Sequence, residues 1–337
     1  MKFGIGIVGE HRPQQLIELV KQLETLGFDM AWFTDERFHR DVFVNMTLAA
    51  DHSDYLRIGC MVTDPFIRHP ALTAVAGATL DELSGERFTL GMGAGISGFG
   101  ELGIRRHRPA LAIREAIELM NRLTAGERDV MFEGEIIQFG PGQLDFTPTR
   151  RMPIYVAGRG PRVLQAAGAV ADGVVIASHA TEAGIAWSLK HVNRGAGKAG
   201  RRLDALHKIS WLYTSVAPDR EAARDAVRIG VAVAMCGSRE ILEHIGVQLP
   251  KEARDFMDSH AYRFDRTQMA ELGALIPDEL LDQFSLAGTV TEVVDKLAEI
   301  RELGFHQAAL WPFPARGRNL SELIDVLGKQ VLPTLQT

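Results

Sequence analysis

Asp35 closes an apolar run over residues 30–34 (MAWFT). A carboxylate at the end of a buried strand loses hydration and needs a partner or a task, so Asp35 is the first candidate for acid–base chemistry. Glu36 follows at once and is the second; His39 and His179 are the alternatives. Asp35, Glu36 and His39 have the donor types of a metal site. They straddle a strand end and a loop, however, and no second histidine–carboxylate pair repeats the spacing, which argues against a metal.

Two glycine-rich turns add to this set. Gly93-Ala94-Gly95-Ile96-Ser97-Gly98 has GxGxxG spacing. The dinucleotide fingerprint also needs a helix at once and an acidic residue about 20 positions on, whereas the next helix begins only near Pro109. These glycines read instead as places where backbone approaches a ligand or a neighbouring loop. Gly158-Arg159-Gly160-Pro161 puts proline at the first position of a helix behind two glycines. The free N–H groups of such a turn, with the Arg159 guanidinium, favour a phosphate. There is no GxSxG elbow, and neither Cys60 nor Cys236 stands beside a credible base, which argues against a covalent nucleophile.

The elements that must position these residues alternate along the chain. Short apolar runs at 2–8, 30–34, 57–63, 88–92, 153–157, 173–177, 208–215 and 306–311 read as strands. Segments of helical spacing lie between them, over 13–27, 42–52, 71–83, 110–123, 161–170, 181–198, 220–235, 290–303 and 320–331. Near-continuous apolar strands imply a parallel sheet covered on both faces, and eight β–α steps imply a (β/α)8 TIM barrel, an α/β fold. Residues 129–146 alternate apolar and polar residues around Gly134 and Gly140 and read as a β-hairpin insertion. Residues 236–285 read as a helical one. No linker divides the chain, so residues 1–337 are expected to form one domain, with its site in the loops at the carboxyl ends of the strands.

Composition narrows the function. The 337 residues are 46% hydrophobic, and 37 basic against 43 acidic residues give a net charge of -6, which argues against a nucleic-acid binder. No apolar run approaches the roughly 18 residues needed to cross a bilayer, and the opening MKFGIGIVGE lacks a signal peptide's basic head, so a cytoplasmic protein with no membrane partner is expected. Two cysteines cannot build a disulfide framework.

Residues 58–95, IGCMVTDPFIRHPALTAVAGATLDELSGERFTLGMGAG, resemble the luciferase-like superfamily of flavin and deazaflavin enzymes. Within it they resemble the coenzyme F420-dependent methylenetetrahydromethanopterin reductases. MKFGI, GFDMAWFTDE, PIYVAGRGPRVLQAAGAVADGVVI and FSLAGTVTEVVDKLAEIRELGF agree in order, so the likeness spans nearly the whole chain. It implies a (β/α)8 barrel with an insertion region, coenzyme F420 or FMN as cofactor, and a bulge in the third strand carrying a cis peptide between Met61 and Val62. It also implies that Asp35, Met61, Val62, Thr63 and Asp64 lie beside the cofactor ring, and that Gly95, Gly158, Arg159 and Gly160 lie near its ribityl-phosphate portion. Two departures stand out: Gly6 replaces the reductases' strand-one glutamate, and Asp35-Glu36 replaces an Asp-His pair.

The expected activity is hydride transfer between the cofactor and a small organic or pterin-type substrate. An FMN-dependent monooxygenase, a flavin-independent pterin reductase and a non-catalytic relative are the alternatives. A homodimer is expected, with residues 229–235 read either as its interface or as the buried face of a barrel helix.

Overall fold

A computed structural model describes residues 1–95, 98–236, 238–259 and 266–336. In chain order its elements are β1 (Lys2–Ile7), α1 (Pro13–Thr25), β2 (Met30–Phe33), α2 (Val42–Asp51), β3 (Arg57–Cys60), α3 (Pro70–Leu83), β4 (Phe88–Met92) and α4 (Pro109–Thr124). Then come β5 (Val130–Glu133), β6 (Gln138–Gly142), β7 (Ile154–Gly158), α5 (Pro161–Val170), β8 (Gly173–Ala177), α6 (Glu182–Lys198), β9 (His207–Val216) and α7 (Arg220–Cys236). The last third holds α8 (Arg239–His244), α9 (Lys251–Ser259), α10 (Arg266–Ala274), α11 (Asp278–Phe284), β10 (Ser285–Gly288), α12 (Val290–Glu302), β11 (Gln307–Pro312), α13 (Leu320–Val326) and α14 (Leu332–Gln336). The chain divides into two compact units, one of residues 4–175 and 190–207, the other of residues 1–3, 176–189 and 208–337.

In the first unit, β1, β2, β3, β4, β7 and β8 follow one another across a parallel sheet. Gly6 stands opposite Trp32, Phe33 opposite Cys60 and Met92 opposite Val156. Ile5, Trp32, Phe88 and Leu90 are fully buried, as continuous apolar strands covered on both faces require. Trp32 fits only because its neighbour is small: a Cβ at Gly59 would lie 2.3 Å from the indole. The 129–146 insertion is an antiparallel hairpin of β5 and β6. Glu115 of α4 anchors it, accepting the N–H groups of Glu135, Ile136 and Ile137 at 2.9 Å.

In the second unit, β9 is flanked in parallel by β11 and β10. The 236–285 insertion is helical over α8, α9, α10 and α11. Its end holds a strand that the sequence pattern concealed: β10 pairs Ser285 with Tyr213 and Gly288 with Val216, although SLAG follows a helix directly and is too short to show alternation. Val231, Ala232, Ala234 and Met235 face a core with Leu242, Leu272, Leu281 and Phe284, so residues 229–235 are mainly the inward face of α7. The closing helix expected over 320–331 changes at Leu327–Val331 to a wider π turn.

Strand-to-strand bonds continue beyond each sheet segment. Lys2 N–H donates to His306 O at 2.9 Å and Ser178 N–H to Trp211 O at 2.7 Å within the second unit; His207 N–H donates to Asp172 O at 3.0 Å within the first. Among the described residues no helix is long and apolar enough to cross a membrane.

Candidate active site

The carboxyl ends of β2, β3, β4 and β7, neighbours in the sheet, carry most of the candidate residues. β3 does not run on to residue 63 as its composition suggests. It stops at Cys60, the Met61–Val62 peptide is cis, and the chain rejoins β4 at Thr63, whose N–H donates to Gly91 O while its carbonyl accepts from Gly93 N–H. This is the bulge that the family resemblance implied. It lies against β4 so closely that a Cβ at Gly91 would come 2.1 Å from the Cys60 carbonyl, and one at Gly93 2.7 Å from Val62 Cγ2. Gly93 therefore serves the approach of a neighbouring loop, while Ile96 and Ser97 of the GxGxxG run lie outside the described residues.

Thr63 Oγ1 donates to Asp35 Oδ2 at 2.7 Å. Asp64 is fully buried, and its Oδ1 accepts the N–H groups of Phe66 and Ile67 at 2.8 and 3.1 Å. Between the two carboxylates lies Arg37, paired with Asp35 Oδ1 at 3.1 Å and with Asp64 Oδ2. Sequence reasoning missed Arg37; its signal was a cation two residues past a strand-end carboxylate. Glu36 is half-buried beside it, whereas His39 is exposed and lines, with Gly9, Glu10, Phe38 and Arg40, an open cleft of about 500 Å³. Cys60 is buried, and burial followed by the charge of Asp35 pushes its thiol well above the usual range, as suits a core residue.

Gly95 has φ +63°, and a Cβ there would meet Phe99 at 2.7 Å and Asp64 Oδ2 at 3.2 Å. Its carbonyl accepts from Arg106, whose guanidinium carbon lies 5.1 Å from the centre of the Phe99 ring. After β7, Gly160 caps α5 in extended conformation with no side-chain cap, Pro161 follows at the first helical position, and a Cβ on Gly160 would meet nothing within 4 Å. Because Pro161 has no N–H, the first turn of α5 presents at most three orphan N–H groups, beside open space, with Arg159 half-buried next to it. In the second unit, His179 is buried against the edge of Phe284, with 5.5 Å between ring centres. Gly6 is buried in β1 and brings no acid. Among the described residues no three His, Cys, Asp or Glu side chains converge as a metal site.

A (β/α)8 barrel with a carboxylate–hydroxyl–guanidinium cluster at its strand ends is the architecture of a barrel enzyme. The family model described as luciferase-like monooxygenase matches residues 1–307, and the chain belongs to that family. It is 34% identical to the 5,10-methylenetetrahydromethanopterin reductase of Archaeoglobus fulgidus, with all of both chains covered. With the enzyme of that name from Methanolobus tindarius it shares 32% over 98% of this chain and all of the other. The solved structure of the coenzyme F420-dependent tetrahydromethanopterin reductase from Methanopyrus kandleri superposes with a TM-score of 0.83 at 28% identity, covering 98% of each chain.

Proposed function

We propose that this protein is an oxidoreductase that moves hydride between coenzyme F420, or FMN, and a small organic or pterin-type substrate. The observation that carries the proposal is the end-to-end 34% identity with a methylenetetrahydromethanopterin reductase. When bound, such a cofactor supplies the ring position that gives or takes the hydride. The open, uncapped start of α5 fits the cofactor's phosphate, with Gly158, Arg159 and Gly160 around it and Gly95 on the neighbouring strand end. The bulge of Met61 and Val62 is the surface assigned to the ring, with Asp35 and Thr63 at its margin and Asp64 buried behind them as the partner of Arg37. Asp35 and Glu36 are the groups assigned to proton transfer, since β1 offers no acid at Gly6.

An FMN-dependent monooxygenase is the second reading, favoured by the family's own description. Equilibrium titration of the protein with F420 and with FMN, followed by fluorescence quenching, tests both. Tight binding of F420 alone is expected. Tight binding of FMN alone would favour the monooxygenase, and binding of neither would leave the flavin-independent and non-catalytic readings.

The whole chain is proposed to act as one barrel domain and to pair as a homodimer. Leu72, Val75 and Leu83 are exposed on one face of α3, which packs on α2 with its exposed Val44, and this apolar surface supports the pairing.

A further inference from the structure

Arg37 ties together the loops that leave β2, β3 and β4. Its stem lies against the loop after β4, where a Cβ at Gly98 would come 2.3 Å from Arg37 Cγ, and its guanidinium carbon is 5.7 Å from the centre of the Phe99 ring. One terminal amine holds Asp35, pairing with Oδ1 at 3.1 Å and donating to the Asp35 carbonyl; the other donates to Asp64 Oδ2. The side chain is 8% exposed, and its Nε is buried with no hydrogen-bond partner among the described residues. A buried N–H left unmatched costs stability, so the two carboxylates, not the arginine's own donor count, set where this guanidinium lies.

The carboxylates have different remaining capacity. Asp64 spends Oδ1 on two backbone N–H groups and Oδ2 on Arg37, and its side chain has no exposed surface. Asp35 takes Thr63 Oγ1 and Arg37 but keeps 25% of its side chain exposed, so it retains lone pairs for a ligand. Both neighbours donate to it, so the lone pairs it has left are acceptors.

We propose that Arg37 is a positioning and specificity-determining residue: it holds Asp35 as a fixed acceptor that selects a ligand edge bearing an N–H or O–H donor. Asp64 is then the buried counter-charge of Arg37 and not a ligand contact, and of the pair Asp35 and Glu36 assigned above to proton transfer, Glu36 is singled out for it. The inference rests on the cofactor reading above. The ligand edge belongs either to the cofactor ring or to the substrate.

The test compares the wild type, Asp64→Asn and the double variant Arg37→Met/Asp64→Asn in titrations with F420 and FMN, alongside melting curves and KM for a pterin substrate. Asp64→Asn neutralises the fully buried carboxylate that loss of Arg37 would otherwise strand, and Asp35 stays partly exposed to water, so the double variant should melt near the wild type. Asp64→Asn should keep cofactor affinity and KM within about threefold. The double variant should lose on the order of tenfold in cofactor affinity, if the edge is the ring's, or in KM with cofactor affinity retained, if it is the substrate's. Millimolar methylguanidinium should restore part of that loss in Arg37→Ala/Asp64→Asn. Should the double variant not fold, Arg37→Lys, which keeps the charge but cannot span both carboxylates, should show the same loss. Unchanged affinity and KM would overturn the proposal while leaving the cofactor reading intact, as would an equal loss in Asp64→Asn. A wild type that binds neither cofactor would overturn both.

Discussion

Arg159 and Cys60 show how one side chain's surroundings decide its chemistry. Arg159 stands half-buried where α5 begins, beside N–H groups that no side chain caps. A guanidinium–phosphate hydrogen bond is worth about 1.5–3 kcal/mol, so Arg159→Ala should weaken F420 or FMN binding by roughly 10- to 100-fold in a fluorescence titration. Unchanged affinity would make Arg159 a solvated turn residue. Cys60 is the opposite case. Burial and the nearby Asp35 charge raise its thiol, so little thiolate exists near neutral pH, and the thiolate is the form that reacts. Mass spectrometry should find Cys60 unmodified after iodoacetamide treatment of the native protein at pH 8, and alkylated once urea has unfolded it. Rapid native labelling would contradict the buried assignment.

At the scale of elements, the hairpin of β5 and β6 depends on a carboxylate borrowed from α4. Glu115 is 4% exposed; burial alone would raise its pKa, but the N–H groups of Ile137, Ile136 and Glu135 together hold it below the usual glutamate range. A carboxylate whose folded pKa is depressed stabilises above its unfolded pKa, and that contribution fades as pH falls through the lower folded value. Glu115→Ala should therefore cost about 3 kcal/mol at pH 7, seen in denaturant unfolding. The gap from the wild type should narrow below about pH 5, where the unfolded chain's glutamates begin to protonate. A gap that does not change with pH would mean that packing, not the charged acceptor, holds the hairpin.

For the whole molecule, the apolar face of α2 and α3 bears on assembly. A dimer that buries Leu72 and Val75 should become monomeric in light scattering when either is changed to Glu, with the melting temperature of the monomer nearly unchanged because both positions are exposed in the single chain. A dimer that survives both changes would move the interface elsewhere. The likeness in fold to the Methanopyrus kandleri reductase covers 98% of this chain.

Much of this was legible in the sequence because it rests on local physics. Continuous apolar strands and helical spacing marked the β–α steps other than the one from β10 to α12, since burial on two faces leaves period and punctuation in the residues themselves. Gly158-Arg159-Gly160-Pro161 marked the open start of α5 for the same reason, as turn and cap geometry are set by adjacent residues. What only the tertiary structure decided involves contacts between residues far apart in the chain. β10 exists because Ser285 meets Tyr213, not because SLAG favours a strand. Asp64 and Asp35 look alike in the sequence, yet one is spent on Arg37 and two backbone N–H groups while the other keeps an exposed edge. That difference depends on where the loops after β2, β3 and β4 converge, and no spacing within one segment encodes it.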